Sequence, residues 1–99
     1  MRIISRRKLK EFAGKYPDAA RLLDDWDRTA KKANWKNITE VRETYPHADA
    51  IGTCTVFNIS GNKYRLITKI RYHKRTIFIR FVLTHIEYDR KGWKGDCKG

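Results

Sequence analysis

The sequence predicts an α+β domain: a short N-terminal strand, two helices, then a three-stranded antiparallel meander with the helices packed on one face of the sheet. Three observations carry this expectation. Apolar residues between positions 9 and 33 recur at helical spacing. Between positions 53 and 85 they shift to alternation, the period of a strand. Gly, Pro and Asn punctuate the chain where the patterns change. Helices followed by a run of strands give the α+β arrangement. At 99 residues, 40% of them hydrophobic, the chain fits one domain spanning 1–99 with one packed interior.

Taken in order, RIIS at 2–5 is a short β-prone run. Ser5 is the expected cap of a helix over RRKLKEFAGKY, whose Leu9, Phe12, Ala13 and Tyr16 share one stripe. Pro17 then punctuates the chain, and Asp18 is the expected N-cap of a second helix. Ala19, Leu22, Leu23, Trp26, Ala30 and Ala33 form its core stripe, with Asp24, Asp25 and Asp27 read as a solvated acidic face. Residues 34–52 are irregular, with Trp35 alone and a helical turn at TEVRETY. Three strand-like runs follow at 53–60, 63–73 and 75–85, joined by SGN and by a tight turn at Lys74. The remainder, IEYDRKGWKGDCKG, opens as one helical turn and ends, over 90–99, as a loose basic tail.

Charge narrows the function classes. There are 23 Lys and Arg against 11 Asp and Glu, a formal net charge of +12. So large an excess on a small domain points to a polyanion such as RNA, DNA or an anionic surface. The excess sits in two blocks, 1–15 and 61–99, around a nearly neutral middle. No apolar run approaches the roughly 20 residues of a membrane span, and the basic start leads into a charged helix rather than a signal peptide. The expectation is a cytoplasmic protein. Cys54 and Cys97 have neither CxxC spacing nor paired histidines nearby, so they read as reduced thiols, with no metal and no cofactor.

The stretch VFNISGNKYRLITKIR, residues 56–71, puts Lys63, Arg65, Lys69 and Arg71 on one strand face, with Tyr64, Leu66, Ile70 and Tyr72 on the other. On the next strand strict alternation places Arg80 between Phe78 and Val82 on one face, opposite Ile77, Ile79, Phe81 and Leu83. A guanidinium there needs a partner. Either a helix supplies a carboxylate, Glu11 or Asp27, or Arg80 joins Arg65 in clamping a phosphate. The same strand ends in THIEYD, which brings His85 and Tyr88 to its rim. Cleavage of RNA at its own 2′-hydroxyl needs a base, an acid and cations for the charge that builds on the phosphoryl oxygens. Arg65, Arg80, His85 and Tyr88, with Lys63, Lys69 and Arg71 alongside, include residues fit for each task.

VFNISGNKYRLI, followed about twenty residues later by IRFVLTHIEYD, resembles the HigB toxins of bacterial toxin–antitoxin pairs, within the RelE-like superfamily of mRNA interferases. The resemblance runs from RIISRRKL through Trp35 to Trp93–Lys94. It implies a RelE-like fold and a metal-independent endoribonuclease that cuts mRNA on the ribosome. It also implies a cognate helix-turn-helix antitoxin of the HigA type as partner. Carried over by position, the YRL arginine is Arg65, the arginine before THxEYD is Arg80, and His85 and Tyr88 come from that segment. Asn58 and Asn62 match the FNxxGN asparagines, either as RNA contacts or as turn formers. His85 is the inferred proton carrier, with Tyr88 and Lys63 as competitors. ParE-type gyrase inhibitors share the fold, and a basic RNA-binding module without chemistry also fits the charge.

Overall fold

The chain, described over residues 1–98 in a computed structural model, begins with β1 (Arg2–Ile4) and a helical hairpin, α1 (Arg7–Lys15) and α2 (Pro17–Lys32). α3 (Ile38–Thr44) leads into β2 (Asp49–Ile51), β3 (Cys54–Ile59), β4 (Tyr64–Arg71) and β5 (Thr76–Thr84). α4 (His85–Asp89) and a 3-10 stretch, Gly92–Cys97, complete the described chain. The expected α+β class and the antiparallel β3–β4–β5 meander are present. The sheet is larger than expected, with five strands in the order β1-β5-β4-β3-β2. β1 pairs parallel to β5, Arg2 opposite Thr76, and the other pairings are antiparallel. β2 has three residues and no alternation to reveal it.

The helices cover one sheet face. Leu9, Phe12, Ala19, Leu23, Trp26 and Ala30 meet Phe57, Ile59, Tyr64, Leu66, Ile77 and Ile79 in the main core. Each Leu, Ile or Phe side chain among them contributes about 1.5–3 kcal/mol by leaving water. Trp35 is part of this core. Its ring stacks near Phe57 at 6.3 Å, while Trp26 and Tyr45 meet Phe57 edge-on at 5.3 Å each. TEVRETY belongs to a full helix, α3, whose N-cap Asn37 accepts a bond from Glu40 N at 3.0 Å.

Three local expectations are corrected. Arg6, not Ser5, is the N-cap of α1, and Ser5 takes the left-handed conformation at φ 69°. Asp18 does not cap α2. Pro17 opens that helix after Tyr16, because its ring is already set for the first helical turn. The Asp18 carboxylate instead accepts from Tyr64 Oη at 2.8 Å and from Lys63 Nζ at 2.5 Å. Asp27 is not on a solvated face either. It is buried and takes two bonds from Arg6, at 3.1 and 2.5 Å.

β5 departs from strict alternation. Ile67 of β4 faces Phe81, but Thr68 faces Ile79, so Arg80 is the extra residue of a β-bulge. A bulge shifts the faces by one residue. Val82 therefore joins Ile77 and Ile79 against the helices, while Phe81 and Leu83 pack on the opposite face.

That opposite face carries a second, smaller core: Cys54, Val56, Ile67, Trp93 and Cys97, with Ile51, Phe81, Leu83 and Tyr88 against it. The C-terminal segment supplies its lid, so the expected loose tail is ordered as far as it is described; Gly99 lies outside the described residues. The cysteine expectation is overturned, because Cys54 and Cys97 form a disulfide across 43 positions. Spacing alone could not show that Thr53 N would bond to Cys97 O at 2.8 Å and lay the tail beside β3. Gly52, at φ +57°, makes room for this approach, since a Cβ there would stand 1.9 Å from Cys97 O. Among the described residues no helix is long and apolar enough to cross a membrane.

Candidate active site

The sheet face opposite the helices is the one expected to be basic, and the tail covers only part of it. Where it ends, Asn58, Arg65 and Tyr88 line a cleft of about 320 Å³ together with Arg42, His47 and Asp49. Local sequence explains each placement. Asn58 and Arg65 are register partners on β3 and β4, on the same face as Val56 and Ile67. Tyr88 comes from α4, whose start is fixed by a capping box: Glu87 N donates to Thr84 Oγ1 at 3.3 Å and Thr84 N donates to Glu87 Oε1 at 2.9 Å. The THIEYD stretch is thus a strand stop and a helix start in six residues.

Arg65 has no carboxylate partner among the described residues. Its guanidinium lies over the Tyr88 ring, 5.0 Å from the centroid, and Nη2 donates to Asn62 Oδ1 at 3.3 Å. Tyr88 in turn stacks on Trp93 at 4.7 Å and 12°, and Trp93 Nε1 donates to Tyr88 O at 2.8 Å. Tail, tyrosine and arginine therefore form one stacked series. Burial raises the Tyr88 phenol above its usual range, and Arg65 opposes that shift. The phenol stays protonated, a donor rather than a base at neutral pH.

The other expected residues divide. His85 opens α4 three residues before Tyr88, on the adjoining side of the helix, and its Nε2 stands 3.1 Å from Asp89 Oδ2. Arg80 does not stand beside Arg65. It lies three residues along β5 from Leu83, the register partner of Arg65, about 10 Å away at strand rise. Its partner is neither Glu11 nor Asp27 but Asp96, in a two-pronged pair with Nε–Oδ2 at 2.7 Å and Nη2–Oδ1 at 3.0 Å. Arg80 holds the Asp96 carboxyl below its ordinary range. Lys63 is likewise engaged by Asp18. Lys69 and Arg71 sit toward the far end of β4, Arg71 over the Phe78 ring at 5.9 Å. The cleft residues that sequence reading missed are Arg42, His47 and Asp49. They come from α3, the turn that follows it and the first residue of β2, where no periodic signal exists.

Two comparisons bear on this arrangement. Residues 19–91 match the family model HigB_toxin, described as the RelE-like toxic component of a toxin–antitoxin system. That match runs from the first turn of α2 past α4 and takes in every cleft residue. The chain belongs to the HigB toxin family. Among curated HigB relatives, the mRNA interferase HigB of Escherichia coli O6:H1 is 30% identical over 93 residues, covering 91% of this chain and 90% of that protein. Those of Escherichia coli O157:H7 and Shigella flexneri are each 30% identical over 92 residues, covering 90% of this chain and 88% of theirs. As a HigB toxin, the chain is the toxic component of a toxin–antitoxin system, which implies a cognate antitoxin as partner.

Proposed function

We propose that this HigB toxin is an endoribonuclease that cleaves mRNA, ribosome-bound, and so arrests translation, with no metal ion in the reaction. The carrying observation is the Arg65 guanidinium, in no ion pair among the described residues and held over Tyr88 in a polar cleft, while Lys63, Arg80 and Arg6 are each matched to a carboxylate. An arginine kept free of carboxylates in a basic protein is available to a phosphate.

In this reading the scissile phosphate sits at Arg65, whose parallel N–H donors offset the charge that builds on the phosphoryl oxygens. The ribose 2′-hydroxyl loses its proton and attacks phosphorus, and the 5′-oxygen leaves with a proton. The products are a 2′,3′-cyclic phosphate and a 5′-hydroxyl. His85 carries the proton, steered by Asp89, and Tyr88 donates a hydrogen bond from the adjoining position on α4. Asn58 and Asn62 bind RNA at the cleft margin. Lys69 and Arg71 extend the basic track along β4, so attraction to RNA weakens as salt rises. Arg80 serves through Asp96, by holding the tail that supports Tyr88.

The test is induced expression in a bacterial host, wild type beside Arg65→Ala, Tyr88→Phe and His85→Ala, with primer extension on an abundant mRNA. Expected are new 5′ ends inside translated codons for the wild type. Loss of Arg65 should lower cleavage about 10²–10³-fold, the cost of one transition-state charge contact. Growth arrest with intact message would refute the nuclease and favour gyrase inhibition. No arrest and no cleavage would leave an RNA-binding module.

A further inference from the structure

The Arg65 cleft does not end at Asn58. It opens there into a wider groove of about 510 Å³, and Pro46, His47, Ala48 and Asn58 line both spaces. The gap has a topological origin. β2 pairs with β3 only from Cys54 to Val56, so beyond Val56 the sheet has no outer strand. The turn between α3 and β2 forms one wall, and the β3–β4 turn forms the other.

The walls carry flat polar groups rather than charges. The Asn58 amide makes no hydrogen bond among the described residues. Asn62 accepts from Arg65 through its Oδ1, and its amino group makes no hydrogen bond among the described residues. His47 is exposed at the mouth with no ion pair among the described residues. A Cβ at Gly61 would meet nothing within 4 Å, so the turn leaves this side open. A phosphate held at Arg65 carries a ribose and a base on a short tether. A base is a flat aromatic with donors and acceptors along its edge, the shape that an imidazole stacks on and amides read.

Resting on the nuclease reading of Arg65, we propose that this groove is a nucleobase subsite: it takes the unpaired base of the nucleotide adjoining the bound phosphate, stacked on His47 and read by Asn58 and Asn62. A single strand presents a base in this way, and a duplex does not. The Tyr45–Ala48 turn thereby becomes the part of the chain that sets sequence preference at one position, and Arg65 the part that sets affinity for any sequence.

The test uses an RNA trinucleotide blocked by a 2′-O-methyl group at the cleavable position, and its counterpart lacking one base. Dissociation constants are measured for the wild type, His47→Ala, Asn58→Ala and Arg65→Ala. The wild type should bind the intact trinucleotide about tenfold more tightly than the abasic one, as loss of a stacked base requires. His47→Ala and Asn58→Ala should lose that discrimination, while Arg65→Ala should weaken both ligands alike and keep the ratio. Mapped cleavage sites should lose base preference at one position in His47→Ala. Equal binding of the two ligands by the wild type, or no binding at millimolar concentration, would overturn the subsite. A wild type that discriminates but cuts no RNA would retain the subsite and remove the nuclease.

Discussion

Replacing both cysteines, Cys54→Ala with Cys97→Ala, tests the disulfide most directly. The bond closes a loop of 43 positions. In the chain-entropy account, freeing an unfolded loop of that length returns about 13 cal/mol/K, or about 4 kcal/mol at 25 °C. That is a large fraction of the 5–15 kcal/mol typical of a whole domain. The variant should therefore unfold at much lower guanidinium than the oxidised wild type, with an extrapolated stability lower by about 3–4 kcal/mol. Its denaturant slope should be steeper, because an uncrosslinked unfolded chain exposes more surface. Tryptophan fluorescence reports the transition, and wild type treated with a dithiol reductant should match the variant. A difference below about 1 kcal/mol, or two titratable thiols in the untreated folded protein, would refute the reasoning.

Other perturbations act on the same lid. Trp93→Ala removes a buried ring and the donor to Tyr88 O, so it should cost about 3–5 kcal/mol in denaturation and lower RNA cleavage together. Gly52→Ala should lift the tail off β3, because its Cβ would meet Cys97 O at 1.9 Å; a melting temperature unchanged within about 2 °C would contradict this. Asp18 and Asp96 both have carboxyl groups held below their ordinary range, by Lys63 and Tyr64 and by Arg80 respectively. Their stabilisation is complete above the unfolded carboxylate value of about 3.9 and lost as pH falls through the depressed folded values. Acid unfolding of Asp96→Asn should thus show a weaker pH dependence than wild type below about pH 4. Arg80→Ala should lower stability only slightly, since its pair with Asp96 is partly exposed, and a melting temperature close to wild type would bear this out.

The class of the fold and the order of its long elements were legible because their periods are strong: the α2 stripe, the β3–β4–β5 alternation and the THIEYD stop. What escaped was set by partners distant in sequence. β2 is three residues long, and its place comes from pairing with β3. The bulge at Arg80 breaks a pattern that local sequence continues. Arg80 and Asp96 stand 16 positions apart, and nothing in either segment announces the other. Within the site, Arg65, Asn58 and Tyr88 were visible because strand parity and the family motifs point at them. His47 lies in an aperiodic turn, where only tertiary packing brings it to the cleft.

The parallel pairing of Arg2 with Thr76 has a temporal consequence. A ribosome makes β1 long before β5, yet among the described residues β5 is the strand that β1 pairs with. α4, with Tyr88, and the tail that closes over it come later still. Helical and hairpin pieces can form as the chain emerges, but the long-range contacts that complete the sheet wait until β5 is made. On the nuclease reading, the growing toxin cannot cut a message until Tyr88 and the segment stacked on it have followed Arg65 out, because the cleft is incomplete without them.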